Sequence, residues 1–214
     1  MTPERARRIH VVVAGVTWFA VLWQLALVLT GEAVLVEEDP PGLGARIYRF
    51  FAYFTIQSNL LVAITATALA RTPALDRTAW RVARLAGLVG ITVTGLVHFF
   101  LLRPLLDLDG ASWATDKLLH VVVPVLAVAA WAVAGPRPRA SVREAAYGLV
   151  WPVAWTAWTL VVGQVDGWVP YPFLDADEND WGAVAVTCAG ITVLFVALFA
   201  LFTFLDGKLR PAPR

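Results

Sequence analysis

Six polar side chains of a largely apolar chain are of types that do chemistry: Thr55, Ser58, Asn59, His98, Asp116 and His120. Thr55, Ser58 and Asn59 stand at i, i+3 and i+4, so a helix carries them on one face. Asp116 precedes His120 by four residues, the spacing at which a carboxylate reaches an imidazole one turn away. A hydroxyl, an amide, a carboxylate and two imidazoles offer proton transfer, hydrogen bonding or metal ligation. Each also has a purely structural use. A threonine in a membrane helix commonly bonds its own i−4 carbonyl. Ser58 and Asn59 suit bridging between helices, an outer histidine can be solvated, and Asp116 can be an exposed loop carboxylate. Pro124, four residues after His120, denies the His120 carbonyl its usual helical donor and so loosens or kinks the helix there.

The elements that must position these groups are six charge-free apolar runs, at about 11–30, 50–70, 85–102, 118–134, 145–163 and 183–205. All 33 formal charges lie outside them, and the mean hydropathy of the 214-residue chain is +0.69. A helix needs about 20 apolar residues to cross a hydrocarbon core of about 30 Å. The runs do not alternate, which excludes a membrane barrel. The expected fold is all-α: one polytopic membrane bundle of six transmembrane helices over residues 1–214, with loops too short for a second domain. The first run, about 20 residues, is too long for a signal-peptide core of about 7–15 and reads as a retained helix. One cysteine, Cys188, excludes an internal disulfide and a cysteine-based metal cage, and a net charge of +1 gives no reason to expect nucleic-acid binding.

Charge supplies an orientation. Taking the N-terminal side as inside, the inner segments hold 13 of the 17 Lys and Arg, while the outer loops hold 12 of the 16 acids. The positive-inside rule then puts both termini in the cytoplasm. Trp80 and Trp131 fall at the inner boundary, and Trp113, Trp168 and Trp181 at the outer one, as interfacial indoles do. Arginine outnumbers lysine 15 to 2, a bias expected of a GC-rich bacterial genome, so the membrane is read as the cell membrane. Gly87, Gly90 and Gly95 mark a close-contact face on the third run. Trp151, Trp155 and Trp158 form one stripe of the fifth, for packing, lipid contact or the wall of a lipid groove.

At 1.5 Å per residue, His120 lies about 5 Å, His98 about 7–8 Å and Thr55 about 9 Å below the outer boundary. Three helices thus bring a hydroxyl and two imidazoles to one layer, and polar groups at membrane depth point to function. The outer segment 168–175 is apolar and carries two prolines, which forbid a regular helix. Its Tyr171, Phe173 and Asp175 are expected to fold over the bundle mouth as a lid.

Four patches carry a resemblance: Phe51-Ala-Tyr-Phe-Thr55-Ile-Gln-Ser-Asn59-Leu-Leu, Trp113 through Leu118-Leu-His120-Val-Val-Val-Pro124, the tryptophan-rich fifth run, and Gly167-Trp168 followed by Tyr171-Pro-Phe173-Leu-Asp175. In order and spacing they resemble the androgen-induced family of six-helix membrane proteins, bacterial branch, whose animal members hydrolyse fatty acid esters of hydroxy fatty acids. The resemblance implies Thr55 as nucleophile and His120 as its partner. It assigns nothing to His98, Asp116 or Asp175, and Gln57-Ser58-Asn59 stands where the animal proteins carry an acid and apolar residues. The implied reaction is acyl transfer from a lipid ester at the outer leaflet, without cofactor or metal. Asp116 would orient the imidazole, Asn59 would stabilise the oxyanion, and His98 would line the same cavity. The partners expected are membrane lipids and the ester itself. Two other readings stay open at the level of sequence: a non-catalytic protein that binds lipid or transports a small solute, and a haem or metal protein using His98 and His120. The oligomeric state is not legible.

Overall fold

The computed structural model describes residues 1–31, 41–72, 75–135 and 140–208. It is all-helical, 85% helix, with no strand among the described residues. The helices are α1 Pro3–Thr30, α2 Leu43–Ala52, α3 Phe54–Arg71, α4 Thr78–Val97, α5 Gly110–Lys117, α6 Val123–Ala134, α7 Val142–Asp166 and α8 Trp181–Lys208. Two π-helical turns join them: His98–Leu102 prolongs α4, and Leu118–Val122 links α5 to α6. Five continuous stretches are long and apolar enough to cross a membrane, and α2 with α3 makes a sixth if the bent pair is counted as one span.

Helix ends overrun the apolar runs because local caps carry them into polar sequence. The Thr2 hydroxyl accepts the Arg5 N–H, so α1 starts at Pro3 rather than at 11. Ser141 and Glu144 form a capping box that starts α7. The second run departs more seriously from expectation. The span 50–70 is not one helix but breaks at Tyr53, and α2 and α3 meet at 67°.

α4 is the centre of the bundle and packs against α3, α6, α7 and α8, while α1 packs on α3 and α6. The glycine face is real. A Cβ on Gly87 would meet Leu61 at 3.2 Å, and one on Gly90 would meet the Trp151 ring at 2.8 Å and Ser58 Oγ at 3.1 Å. α7 and α8 lie at the periphery, with large apolar side chains such as Val161 and Phe204 facing outwards. Contiguous apolar surface on the outside of a bundle is what a lipid environment accepts and water does not. At the end of the bundle that carries the N-terminus, Arg81 bridges Asp76 and Glu144, and Trp131 is buried with its Nε1 donating to Asp206 Oδ1. Of the charges used for orientation, the acids at 32–39 and the basic residues at 137, 139, 210 and 214 lie outside the described residues.

Candidate functional site

The break at Tyr53 is what places Thr55. Tyr53 is extended (φ −62°, ψ 125°), so Thr55 becomes the second residue of α3 and its N–H loses a helical acceptor. The break also frees the carbonyls of Phe51 and Ala52. These three groups find new partners. Gln57 Nε2 donates to Phe51 O (3.0 Å), Trp155 Nε1 to Ala52 O (2.8 Å), and Thr55 N–H to the Tyr171 hydroxyl (3.1 Å). Trp151 Nε1 in turn holds Gln57 Oε1 (2.8 Å). The tryptophan stripe of α7 therefore braces the bend with Trp151 and Trp155, while Trp158 faces outwards.

The histidines sit on the π-turns. In the second turn the Val123 N–H bonds Leu118 O, a wider loop than a helix makes, just ahead of Pro124. Here α4 comes very close: a Cβ on Gly95 would lie 3.2 Å from His120 O and 3.3 Å from Pro124 Cβ. In the first turn Arg103 N–H bonds His98 O in the same way. The two imidazoles stack, centroids 4.0 Å apart and 12° from parallel.

These placements bring Thr55, His98, Asp116 and His120 together. Thr55 Oγ lies 3.2 Å from His120 Nε2. His120 Nδ1 lies 2.9 Å from Asp116 Oδ1 and 3.1 Å from the Asp116 carbonyl. Both of those neighbours accept only, so Nδ1 carries the proton and the lone pair on Nε2 faces the threonine. His98 Nε2 lies 2.8 Å from Asp116 Oδ1, and Lys117 Nζ lies 2.7 Å from Oδ2. Asp116 is thus no exposed loop acid: it is 4% exposed and ringed by three nitrogens. Thr55 does not bond its i−4 carbonyl; its hydroxyl meets His120 and the Tyr171 hydroxyl (3.2 Å). With Nδ1 protonated, the single hydrogen of Thr55 Oγ goes to His120 Nε2, which leaves the Tyr171 hydroxyl to donate to Thr55 Oγ. Burial pushes the Tyr171 phenol up from its ordinary pKa, so it remains a donor at neutral pH.

A cavity of about 120 Å³ opens beside this cluster, lined by Thr55, His98, Asp116, His120 and Tyr171 together with Gln24, Arg46 and Arg49. A second cavity, about 310 Å³, lies across Thr55 and Tyr171, between α4, α7 and α8. Of the three lid residues, Tyr171 reaches Thr55, and Phe173 stacks on Tyr171 (5.3 Å) and lines the larger cavity. Asp175 does neither. Its carboxylate caps the following turn through the N–H groups of Asp177 and Glu178. Asn59 does not line the cavity beside the cluster. Its Nδ2 donates to Thr55 O (2.8 Å) and Leu119 O (3.4 Å), which leaves no amide hydrogen aimed at an oxyanion and instead ties α3 to the His120 turn. The donors next to the Thr55 hydroxyl are Tyr171 Oη and the Thr55 N–H. Sequence reasoning treated Tyr171 only as a cover and overlooked Lys117, although its place beside Asp116 was visible.

Compared with protein families, with curated proteins and with solved structures, the chain matches none.

Proposed function

We propose that this chain is an intramembrane threonine hydrolase of lipid esters, of the fatty acid ester of hydroxy fatty acid type, acting at the outer leaflet of a bacterial cell membrane. In this reading it has six spans and cytoplasmic termini, as the basic-residue asymmetry indicates. The observation that carries it is the contact of Thr55 Oγ with His120 Nε2 at 3.2 Å, on a ring whose Nδ1 bonds the Asp116 main-chain carbonyl at 3.1 Å and lies 2.9 Å from the Asp116 carboxylate. A threonine hydroxyl is a weak nucleophile until a base touches it, and the distance suits a base without substrate bound.

The steps follow from the atoms. Thr55 Oγ bonds to the ester carbonyl carbon as its proton passes to His120 Nε2. The Asp116 carboxylate, 2.9 Å away, stabilises the imidazolium, and the Asp116 main-chain carbonyl holds its Nδ1–H in place. As Thr55 Oγ bonds to carbon, the Tyr171 Oη–H that it accepted and the Thr55 N–H held by Tyr171 Oη must both turn to the developing oxyanion, whose charge also faces the first turn of α3. The C–O bond to the alcohol breaks, and the alcohol leaves with the proton from His120. Water, deprotonated by the same imidazole, then releases the fatty acid and restores Thr55.

The test is labelling by a fluorophosphonate lipid probe in nanodiscs, with the adduct located by mass spectrometry. Wild type carries it on Thr55; Thr55→Ala carries none, and His120→Ala labels far more slowly. Labelling elsewhere, or at equal rate in His120→Ala, overturns the reading in favour of a lipid-binding or transport protein. A metal reading has one observation behind it: ligand atoms of His98, Asp116 and His120 lie within 4.8 Å of one another. A metal on His120 Nδ1 would put the ring proton on Nε2 and remove the base, so the two readings exclude each other. Stoichiometric zinc or iron in the purified active protein would decide for the metal.

A further inference from the structure

Thr55 and Tyr171 form part of the wall of both cavities, so the reacting hydroxyl has room on two sides of very different chemistry. The smaller side carries His98, Asp116, His120, Arg46 and Arg49. The larger side has no charged residue in its lining. Two of its threonines turn their hydroxyls onto their own helices, Thr156 to Pro152 O (2.9 Å) and Thr192 to Cys188 O (2.7 Å). They therefore offer the chamber their methyl groups, which leaves Thr94 Oγ as the one lining hydroxyl without a partner.

Resting on the hydrolase reading above, we propose that the larger chamber is the acyl-chain site, entered sideways from the lipid between α7 and α8, and that it sets the preferred acyl length at about ten carbons. Val153 and Ala157 of α7 and Thr192 of α8 line the chamber yet are exposed on the outside of the bundle, so the seam opens where lipid tails lie. From Leu160 the lining descends along α7 to Leu149, about 16 Å at 1.5 Å per residue. An extended acyl chain advances about 1.25 Å per carbon, so a wall of about 16 Å takes at most about thirteen carbons, and about ten once the chain is bent. With the acyl chain there, the carbonyl carbon sits at Thr55 and the alcohol leaves into the smaller, polar cavity beside His120.

The probes are 4-methylumbelliferyl esters from butyrate to palmitate, with protein in nanodiscs. Wild type should prefer decanoate and its near neighbours and fall off towards palmitate. Ile191 lines the chamber and is only partly buried. Ile191→Trp should shorten the preferred chain, raising the butyrate-to-decanoate ratio roughly tenfold through the loss of about two buried methylenes. Ile191→Ala should lengthen it, and opposite shifts do not arise from misfolding. A readout independent of turnover uses Cys188, the chain's only cysteine and also a lining residue. Decanoic acid should slow its alkylation in wild type and in Thr55→Ala alike. Protection of Cys188 with no ester turnover keeps the chamber and overturns the hydrolase. Turnover with unchanged chain preference in both Ile191 variants, and no protection of Cys188, keeps the hydrolase and overturns the chamber.

Discussion

Replacing Tyr171 by Phe removes one oxygen and leaves the ring, which stacks on Phe173 at 5.3 Å and meets Tyr53 edge-on at 5.7 Å, in place. Two interactions go with the oxygen: the acceptor for the Thr55 N–H at 3.1 Å and the contact to Thr55 Oγ at 3.2 Å. The stranded N–H is buried on a helix start and costs about 1–3 kcal/mol of stability unless water reaches it. The catalytic loss is larger in consequence. Removing one donor from an oxyanion site lowers kcat by about 10²–10³. KM should barely move, because the hydroxyl acts on charge that develops only in the transition state. Steady-state hydrolysis of a decanoate ester, with fluorophosphonate labelling rates as the control, separates the two parameters. A fall in kcat of less than about threefold, well short of what a lost oxyanion donor costs, or a rise, would refute the reasoning. It would mean that the phenol merely occupies the carbonyl site and must leave before substrate binds.

Asp116→Asn should keep the fold and, through the main-chain carbonyl, the Nδ1–H tautomer, yet lower kcat by about 10² through loss of the charge beside the imidazolium; circular dichroism and kcat check it together. Gly95→Val places a branched side chain where even a Cβ would stand 3.2 Å from His120 O, displacing the histidine turn. A misplacement of about 1 Å is worth about 10² in rate, read as lost ester turnover in protein that still extracts and migrates as wild type. The raised Tyr171 pKa means that the folded protein holds that proton more tightly than the unfolded chain. Stability should therefore be unaffected below about pH 10 and fall as pH rises further, and Tyr171→Phe should flatten that alkaline slope in a denaturation series. On the topology, cysteines at Arg5 and Glu178 in a Cys188→Ser background should label from opposite sides of intact cells.

The helical bundle was legible because charge-free runs of membrane length admit little else. Depth counting also brought Thr55, His98 and His120 to one layer, since rise per residue is nearly constant in a helix, and the structure joins them. The bend at Tyr53 was not legible. No proline or glycine stands there, and the freed backbone groups are satisfied by Gln57, Trp155 and Tyr171 from as far as 116 residues away. Asn59 was misassigned for a related reason. Its face was right, but local spacing cannot show that a π-turn presents the Leu119 carbonyl to its amide. Asp175 looked like part of a lid because it adjoins an aromatic patch; its turn-capping geometry depends on residues after it.

The bend has one more effect, on the depth at which Thr55 stands. α3 has 18 residues and so rises about 27 Å. α2, inclined at 67° to it, adds only about 6 Å along the same axis over its 10 residues. The charge-free stretches of the neighbouring helices, 11–30 in α1 and 183–205 in α8, rise about 30 Å and about 35 Å. With α2 the bent pair therefore spans about as much as they do, although α3 alone falls short. A straight continuation would have set Thr55 about 15 Å below the start of α2; the bend raises it to about 6 Å below the same level, much nearer to the end of the bundle.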